Sequence, residues 1–272
     1  MSKTQENKAG RAFRTSNRKA FIAFLMAGDP TSDCTVEYIL EMERAGADLI
    51  EIGIPFSDPT AEGEVIQNAN IRALQGGMTT DGVFDIVERV REKARNCSGE
   101  KPLVPLALMT YANPVFHYGT ERFFARCEEL EVAAVLIPDL PYEEKEEMEE
   151  AAEVHNVALV SVIAPTSRER IRKIAREAKG FIHVSSPGVA GTRGGRDREL
   201  ASMVESIREV TDVPCAIDLE ISTPQQARHM ARVSDGAIVG SAIETIIARD
   251  GEQAASSIYR YVRQMKEAVA QA

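Results

Sequence analysis

Eight short apolar segments rich in β-branched residues recur along this 272-residue chain, and charged, amphipathic stretches separate them. The segments span residues 20–27, 48–55, 102–111, 133–140, 158–165, 181–186, 214–220 and 236–243. Strands that alternate with helices indicate βα units and a parallel sheet. Eight units of about 34 residues each are what a (β/α)8 barrel needs, whereas a doubly wound open sheet usually has five or six strands. We therefore predict an α/β fold, a single-domain (β/α)8 TIM barrel over residues 1–272, with a polar N-terminal extension or helix at 1–17.

The overall charge and the placement of cysteine and histidine exclude several classes of protein. The net charge of -10 would repel a phosphate backbone, so we expect no nucleic-acid partner. No apolar segment reaches the roughly 18 residues that span a bilayer, so we expect no membrane partner and a cytoplasmic protein. The four cysteines and four histidines are scattered without a metal-ligand spacing, which argues against a zinc site or a disulfide framework.

One glutamate, Glu51, lies within the aliphatic strand predicted at 48–55. An unpaired buried charge costs several kcal/mol, so Glu51 needs a partner, a proton or a function. Side chains alternate along a strand, so Glu51 should point into the barrel while the neighbouring isoleucines face the helices. We expect Gly53 to leave space for a ligand above it, and burial to raise the pKa of Glu51 toward the range useful for proton transfer. A buried glutamate held by a structural hydrogen bond is the alternative.

Further candidates lie at the C-terminal ends of the strands, where barrel enzymes place their chemistry. The same alternation turns Asp218 and Glu220 inward on the seventh strand, and Asp139 ends the fourth. Gly191 lies in a glycine-rich loop after the sixth strand, and the pair Gly240 and Ser241 stands at the start of a short helix near the end of the eighth. Exposed backbone N–H groups in such loops hold phosphate in many barrels, although glycine loops also serve as hinges or lids.

The motifs at these strand ends also resemble those of a known family. EIGIPFSDPTAEGEVIQ, preceded by AGDP and followed by TYANPVFHYG, IPDLP, IAPTSRERI, GVAG and IVGSAI, is similar to the tryptophan synthase alpha chain over about residues 18 to 270. The resemblance implies a (β/α)8 barrel that cleaves indole-3-glycerol phosphate to indole and glyceraldehyde 3-phosphate without a cofactor or metal. It also implies that indole passes to a beta chain carrying pyridoxal phosphate, within an alpha2beta2 complex.

The resemblance assigns roles to individual positions. Glu51 matches the catalytic acid/base, and Glu62 matches the second carboxylate, which stabilises the indole N–H as charge develops. The positions that match substrate-binding residues are Phe24, Tyr111 and Leu136 around the indole, and Gly191, Gly240 and Ser241 around the phosphate.

Several site positions depart from the family pattern. Glu62 stands where the family usually has Asp, and Glu64 where it has Pro. Ala190 replaces the Thr of GVTG, which helps to order a lid. The segment around His183 is one residue shorter than expected, with His183 near the usual tyrosine. Residues 218–220 read DLE instead of GFG, so the Glu220 carboxylate should repel a phosphate dianion.

These departures leave two alternatives to a working alpha chain. One is a divergent paralogue that binds a cationic ligand, or a divalent metal held by Glu51, Asp139, Asp218 and Glu220, since clusters of oxygen ligands suit Mg²⁺ or Mn²⁺. The other is a regulatory binding module that keeps a partner interface and has no catalysis.

Overall fold

A closed barrel of eight parallel strands, paired in chain order, forms the centre of the protein. The computed structural model describes residues 8–14, 19–98, 103–185 and 193–272. The strands are β1 Ala20–Met26, β2 Leu49–Gly53, β3 Leu106–Met109, β4 Ala134–Leu136, β5 Ala158–Ile163, β6 Ile182–Ser185, β7 Cys215–Asp218 and β8 Gly236–Val239. The predicted fold class is therefore confirmed.

The helices surround this barrel. They are α1 Arg11–Arg14, α2 Ser32–Ala45, α3 Glu64–Gln75, α4 Thr80–Ser98, α5 Ala112–Tyr118, α6 Thr120–Glu129, α7 Glu146–Val154, α8 Arg168–Arg176, α9 Arg193–Arg208, α10 Pro224–Val233, α11 Ser241–Asp250 and α12 Ala255–Val269. None of the helices in the described residues is long and apolar enough to cross a membrane. Of the predicted N-terminal extension, the structure describes only residues 8–14, so its extent stays a prediction.

All eight predicted strands were too long at one or both ends. The segment predicted at 102–111 forms a strand only over Leu106–Met109, and the one predicted at 236–243 ends at Val239. Apolar residues beyond these ends pack as loops or open the next helix, which hydrophobicity alone does not separate from a strand. Two helices, α3 and α5, lie where the sequence predicted no helix, whereas the short helix predicted to start at Gly240 and Ser241 is α11.

Alternation along the strands divides the core into two layers. Ile50, Ile52 and Ile54 pack in the large layer between barrel and helices, while Leu49 belongs to the smaller layer inside the barrel. On β7, Cys215 and Ile217 face the helices and Ala216 faces inward. The predicted orientation of both strands is confirmed, and it places the intervening Glu51 inside.

Local signals fix where the helices begin and end. The Thr31 hydroxyl accepts a hydrogen bond from the Cys34 N–H and caps α2, which ends at Gly46 with φ of 102°. Such a left-handed position favours glycine. Before α10, Thr223 and Gln226 form a reciprocal capping box with Pro224 in the first turn. These caps satisfy backbone groups at the helix ends, while the parallel pairing of the strands brings their C-terminal ends together at one mouth.

Candidate active site

Glu51 is buried in the barrel interior. It lies on β2 between Phe24 of β1 and Ala107 of β3, and its side chain is almost fully enclosed. Burial raises the pKa of Glu51 to about 7; the charge of Asp218 adds to the rise and that of His183 opposes it. The Oε1 atom is buried and has no hydrogen-bond partner, which does not fit a glutamate held by a structural hydrogen bond. A carboxyl with this pKa can both donate and accept a proton near neutral pH.

The Phe24 ring fits beside Glu51 because two nearby residues, Gly53 and Gly240, have no side chain. A Cβ atom on Gly53 would lie 2.9 Å from Phe24 Cζ and 2.8 Å from Met26 Cε, and one on Gly240 would lie 2.9 Å from Phe24 Cδ1. Both glycines are therefore required for the Phe24 ring to fit. Our expectation that Gly53 leaves open space for a ligand was wrong, because Phe24 and Met26 occupy that space.

Glu62 lies in the loop between β2 and α3 and is held by Tyr111. The Tyr111 hydroxyl donates a hydrogen bond to Glu62 Oε2 and accepts one of 2.9 Å from the Ala61 N–H. Burial raises the pKa of Glu62, the hydrogen bond from Tyr111 opposes that rise, and the charges of Asp139 and Asp218 add to it. Burial and the contact with Glu62 also raise the pKa of Tyr111, so the phenol stays protonated and remains a donor.

Two further predicted positions lie on the neighbouring strand. Leu136 is buried at the end of β4 in the inner layer of the barrel. Asp139 follows it and accepts a 2.9 Å hydrogen bond from the Ala112 N–H at the start of α5. Asp139 therefore ties the β4 loop to the loop that carries Tyr111.

His183 is the buried site residue whose role the sequence did not predict. It lies on β6 with an exposed fraction of 4%, and its Nε2 is 3.5 Å from Asp218 Oδ2. Its Nδ1 is buried without a hydrogen-bond partner. Burial lowers the pKa of His183, but the hydrogen bond with Asp218 and the charges of Glu51 and Asp218 outweigh it, so the net direction is upward. Alternation with the outward Ile182 and Val184 was a signal that could have found it.

The predicted phosphate-binding positions are described only in part. Gly240 caps α11, and Ser241 is its first residue, so the backbone N–H groups of the first turn point toward the mouth. Glu220 is exposed just beyond β7. Gly191 and Ala190 lie outside the described residues.

The carboxylates of the predicted metal alternative do not form a metal site. In the described parts of the chain, no group of three or more His, Cys, Asp or Glu side chains is placed to hold an ion. Asp139 caps α5 and Glu220 is exposed, while Glu51 lies deep in the interior. The four-acid cluster that we considered is therefore not assembled.

The chain and its fold match one family of known proteins. A family model described as tryptophan synthase alpha chain matches residues 11–270. The chain is 43% identical to the tryptophan synthase alpha chain of Lacticaseibacillus casei, with 93% of this chain and 92% of the relative covered. It is 44% identical to that of Lactiplantibacillus plantarum, covering 93% of each. The crystal structure of tryptophan synthase subunit alpha from Legionella pneumophila superposes with a TM-score of 0.86 at 28% identity, covering 98% of this chain and 99% of that one.

Proposed function

The chain belongs to the tryptophan synthase alpha chain family, and on that basis we propose that Glu51 and Glu62 are the two carboxyls of its active site. As a family member it is a carbon–carbon lyase that cleaves indole-3-glycerol phosphate to indole and glyceraldehyde 3-phosphate. The observation that supports the assignment is a buried Glu51, whose pKa is about 7, together with a Glu62 held by Tyr111, where the charge of Asp218 acts on both carboxyls. Neither a divergent paralogue nor a regulatory module is favoured by a comparable observation.

The reaction needs one proton at indole C3 and the loss of another from the hydroxyl next to the breaking bond. Protonation of C3 makes the ring an electron acceptor. As the hydroxyl loses its proton, its oxygen forms the aldehyde carbonyl, and the electrons of the broken carbon–carbon bond return to the indole ring. Glu51 supplies and recovers these protons, because near pH 7 both of its forms are populated. Glu62 stabilises the indole N–H as positive charge develops on the ring.

Side chains and backbone groups around the two carboxyls position the substrate. Phe24 and Leu136 supply apolar surface for the indole ring. Tyr111 lines one side of the site, and its hydroxyl holds Glu62. The N-terminus of α11 at Gly240 and Ser241 binds the phosphate through backbone N–H groups. Gly191 completes this phosphate site by resemblance alone.

A beta chain is the partner that we propose for the mouth of the barrel. Val65, Ile71 and Leu74 of α3 and Phe116 of α5 are large apolar side chains exposed on helices that follow β2 and β3. Exposed apolar residues on neighbouring helices are typical of a protein interface. An alpha2beta2 complex would receive indole there, while a cytoplasmic location stays a prediction from the sequence.

The function is tested by incubating the purified protein with indole-3-glycerol phosphate and measuring both products. Indole is quantified after extraction, and glyceraldehyde 3-phosphate by a coupled dehydrogenase. We expect the two products in equal amounts, at a rate that rises when a beta chain is added. No indole, with or without a beta chain, would overturn the proposal.

A further inference from the structure

His183 and Glu51 face each other across the interior of the barrel. They lie on β6 and β2, which are four strands apart in a closed barrel of eight, and both side chains point inward. Each is almost fully buried, at 4% and 1% exposure, and each carries a polar atom without a hydrogen-bond partner: Nδ1 of His183 and Oε1 of Glu51. Two such groups in one low-dielectric interior interact far more strongly than they would in water.

Asp218 orients the imidazole from the next strand. Its Oδ2 lies 3.5 Å from His183 Nε2, and Asp218 is two residues along β7 from Ala216, the register partner of His183. A carboxylate at this position favours the doubly protonated, positively charged ring. With Nε2 bound to Asp218, the Nδ1–H is free to donate to a group in the barrel interior. The arrangement is a carboxylate beside an imidazole that faces a second carboxyl across the barrel.

We propose that His183, held by Asp218, is a positioning residue whose positive charge sets the proton affinity of Glu51. This inference rests on the proposed function for its catalytic meaning, but it concerns a coupling between two side chains that is measurable without substrate. His183 does not itself need to touch the reacting atoms.

The charges around Glu51 give the coupling its sign. Burial raises the pKa of Glu51, Asp218 raises it further, and His183 lowers it. The other acids at the mouth are Glu62 and Asp139, and the charge of Asp139 raises the pKa of Glu62. Among the described residues that influence Glu51, His183 is therefore the cation that keeps this pKa near neutrality.

The test is a carbon-13 NMR titration of the Glu51 carboxyl in the wild type and in His183→Gln. Gln can still donate a hydrogen bond to Asp218 but carries no charge. The Glu51 midpoint should move to higher pH by more than about half a unit, because the charge that lowers it is lost. The limb of the pH–rate profile that belongs to Glu51 should move by the same amount. His229→Gln is the matched control, since His229 forms an exposed pair with Asp197 on the outer face and should leave the Glu51 midpoint unchanged.

Two further measurements keep the proposal testable if His183→Gln does not fold. In Asp218→Asn, the titration midpoint of His183 should fall, since the partner that raises it is neutral. In the wild type, the Glu51 and His183 signals should each show two inflections at shared midpoints, as coupled groups do. Independent single-step titrations, or a Glu51 midpoint identical in His183→Gln and the wild type, would overturn the coupling.

These outcomes separate the inference from the proposed function. A wild type that releases indole while its Glu51 midpoint ignores His183 would retain the function and lose the coupling. A shifted midpoint in a protein that releases no indole would retain the coupling and lose the function.

Discussion

Burial of Glu51 inside the barrel raises the pKa of its carboxyl and makes the stability of the fold depend on pH. The folded pKa of about 7 lies above the ordinary value of 4.5, so ionising this carboxyl inside the fold costs up to about 3 kcal/mol. The stability associated with the protonated form is complete below about pH 4.5 and is lost as the pH rises through about 7. At neutral pH the buried Glu51, which we assign to proton transfer, therefore lowers the free energy of unfolding.

Tyr111→Phe tests how Glu62 is held. The variant keeps the ring that stacks on Phe56 but removes the hydroxyl that bonds both Glu62 and the Ala61 N–H. Hydrogen bonds to charged groups contribute about 1.5–3 kcal/mol, so we expect kcat for indole release to fall roughly 10- to 100-fold. Steady-state kinetics measures the change. An unchanged kcat would show that Tyr111 does not position the second carboxylate.

At the scale of residues, the sequence predicted best those positions where strand alternation and a family motif point to the same residue. Glu51 interrupts an aliphatic strand, so its inward orientation and raised pKa followed from parity and burial. The role of His183 was not predicted, because it depends on Asp218 of the adjacent strand and Glu51 on the opposite side of the barrel. These residues come near each other only when the sheet closes into a barrel. Gly53 was misread because the side chains that need its space, Phe24 and Met26, come from another strand.

At the scale of elements, a buried glutamate joins α11 to β1. Glu244 Oε1 accepts a 2.6 Å hydrogen bond from the Met26 N–H, while Asp29 forms a two-point ion pair with Arg72 beside it. Burial raises the pKa of Glu244 well above its usual range, and the charge of Asp29 raises it further. Burial and the neighbouring Asp29 therefore favour the protonated form of Glu244 in the fold.

Glu244→Gln and Glu244→Ala form a matched pair that tests this contact. Because the folded pKa is raised, the wild type loses stability as the pH rises above about 4.5, whereas Gln keeps the acceptor without a charge. We expect urea unfolding to show Gln similar to wild type at pH 5 and more stable at pH 8. Ala should be less stable than Gln at both pH values by about 1–3 kcal/mol, because the Met26 N–H loses its acceptor. A Gln variant that loses stability with pH in parallel with the wild type would contradict a raised pKa of Glu244.

Glu220→Gln tests the electrostatics of the loop after β7. Glu220 is exposed beyond a strand that pairs with β8, whose end leads into the phosphate-binding turn that we propose. Removing its charge should lower KM for indole-3-glycerol phosphate about two- to fivefold at low ionic strength, and less at high salt. Glu252→Gln, an exposed acid after α11, is the control. Equal KM values in both variants and the wild type would place Glu220 outside the field of the phosphate.

The elements that the sequence predicted least well are those at the barrel mouth. The eight strands and the outer helices follow a repeating pattern and were found as existing elements. Helices α3 and α5 are additional to that repeat and lie next to segments rich in Gly, Pro and Asn. They form because tertiary contacts stabilise them, such as the hydrogen bonds from the Ala112 N–H to Asp139 and from the Phe56 N–H to Asn70.

At the scale of the whole molecule, the apolar surface of α3 and α5 distinguishes one end of the barrel. Phe116 is 49% exposed on α5, which follows β3 at the mouth. We expect Phe116→Ser to weaken binding to a beta chain at least about tenfold, since aromatic side chains dominate interface energetics. Isothermal titration calorimetry measures the affinity. Val154→Ser is the control, because Val154 is 61% exposed at the end of α7, a helix that runs away from the mouth. Equal loss in both variants would contradict a beta-chain surface at α3 and α5.

Glu51→Gln measures the central claim most directly. Indole release from indole-3-glycerol phosphate should fall by about 10²- to 10⁴-fold, the usual contribution of a general acid–base group. Melting at pH 8 provides the control for folding, since Gln removes a buried charge and the variant should melt at the same temperature as the wild type or higher. The account predicts a folded protein that releases almost no indole. A folded Glu51→Gln variant that releases indole at the wild-type rate would contradict it.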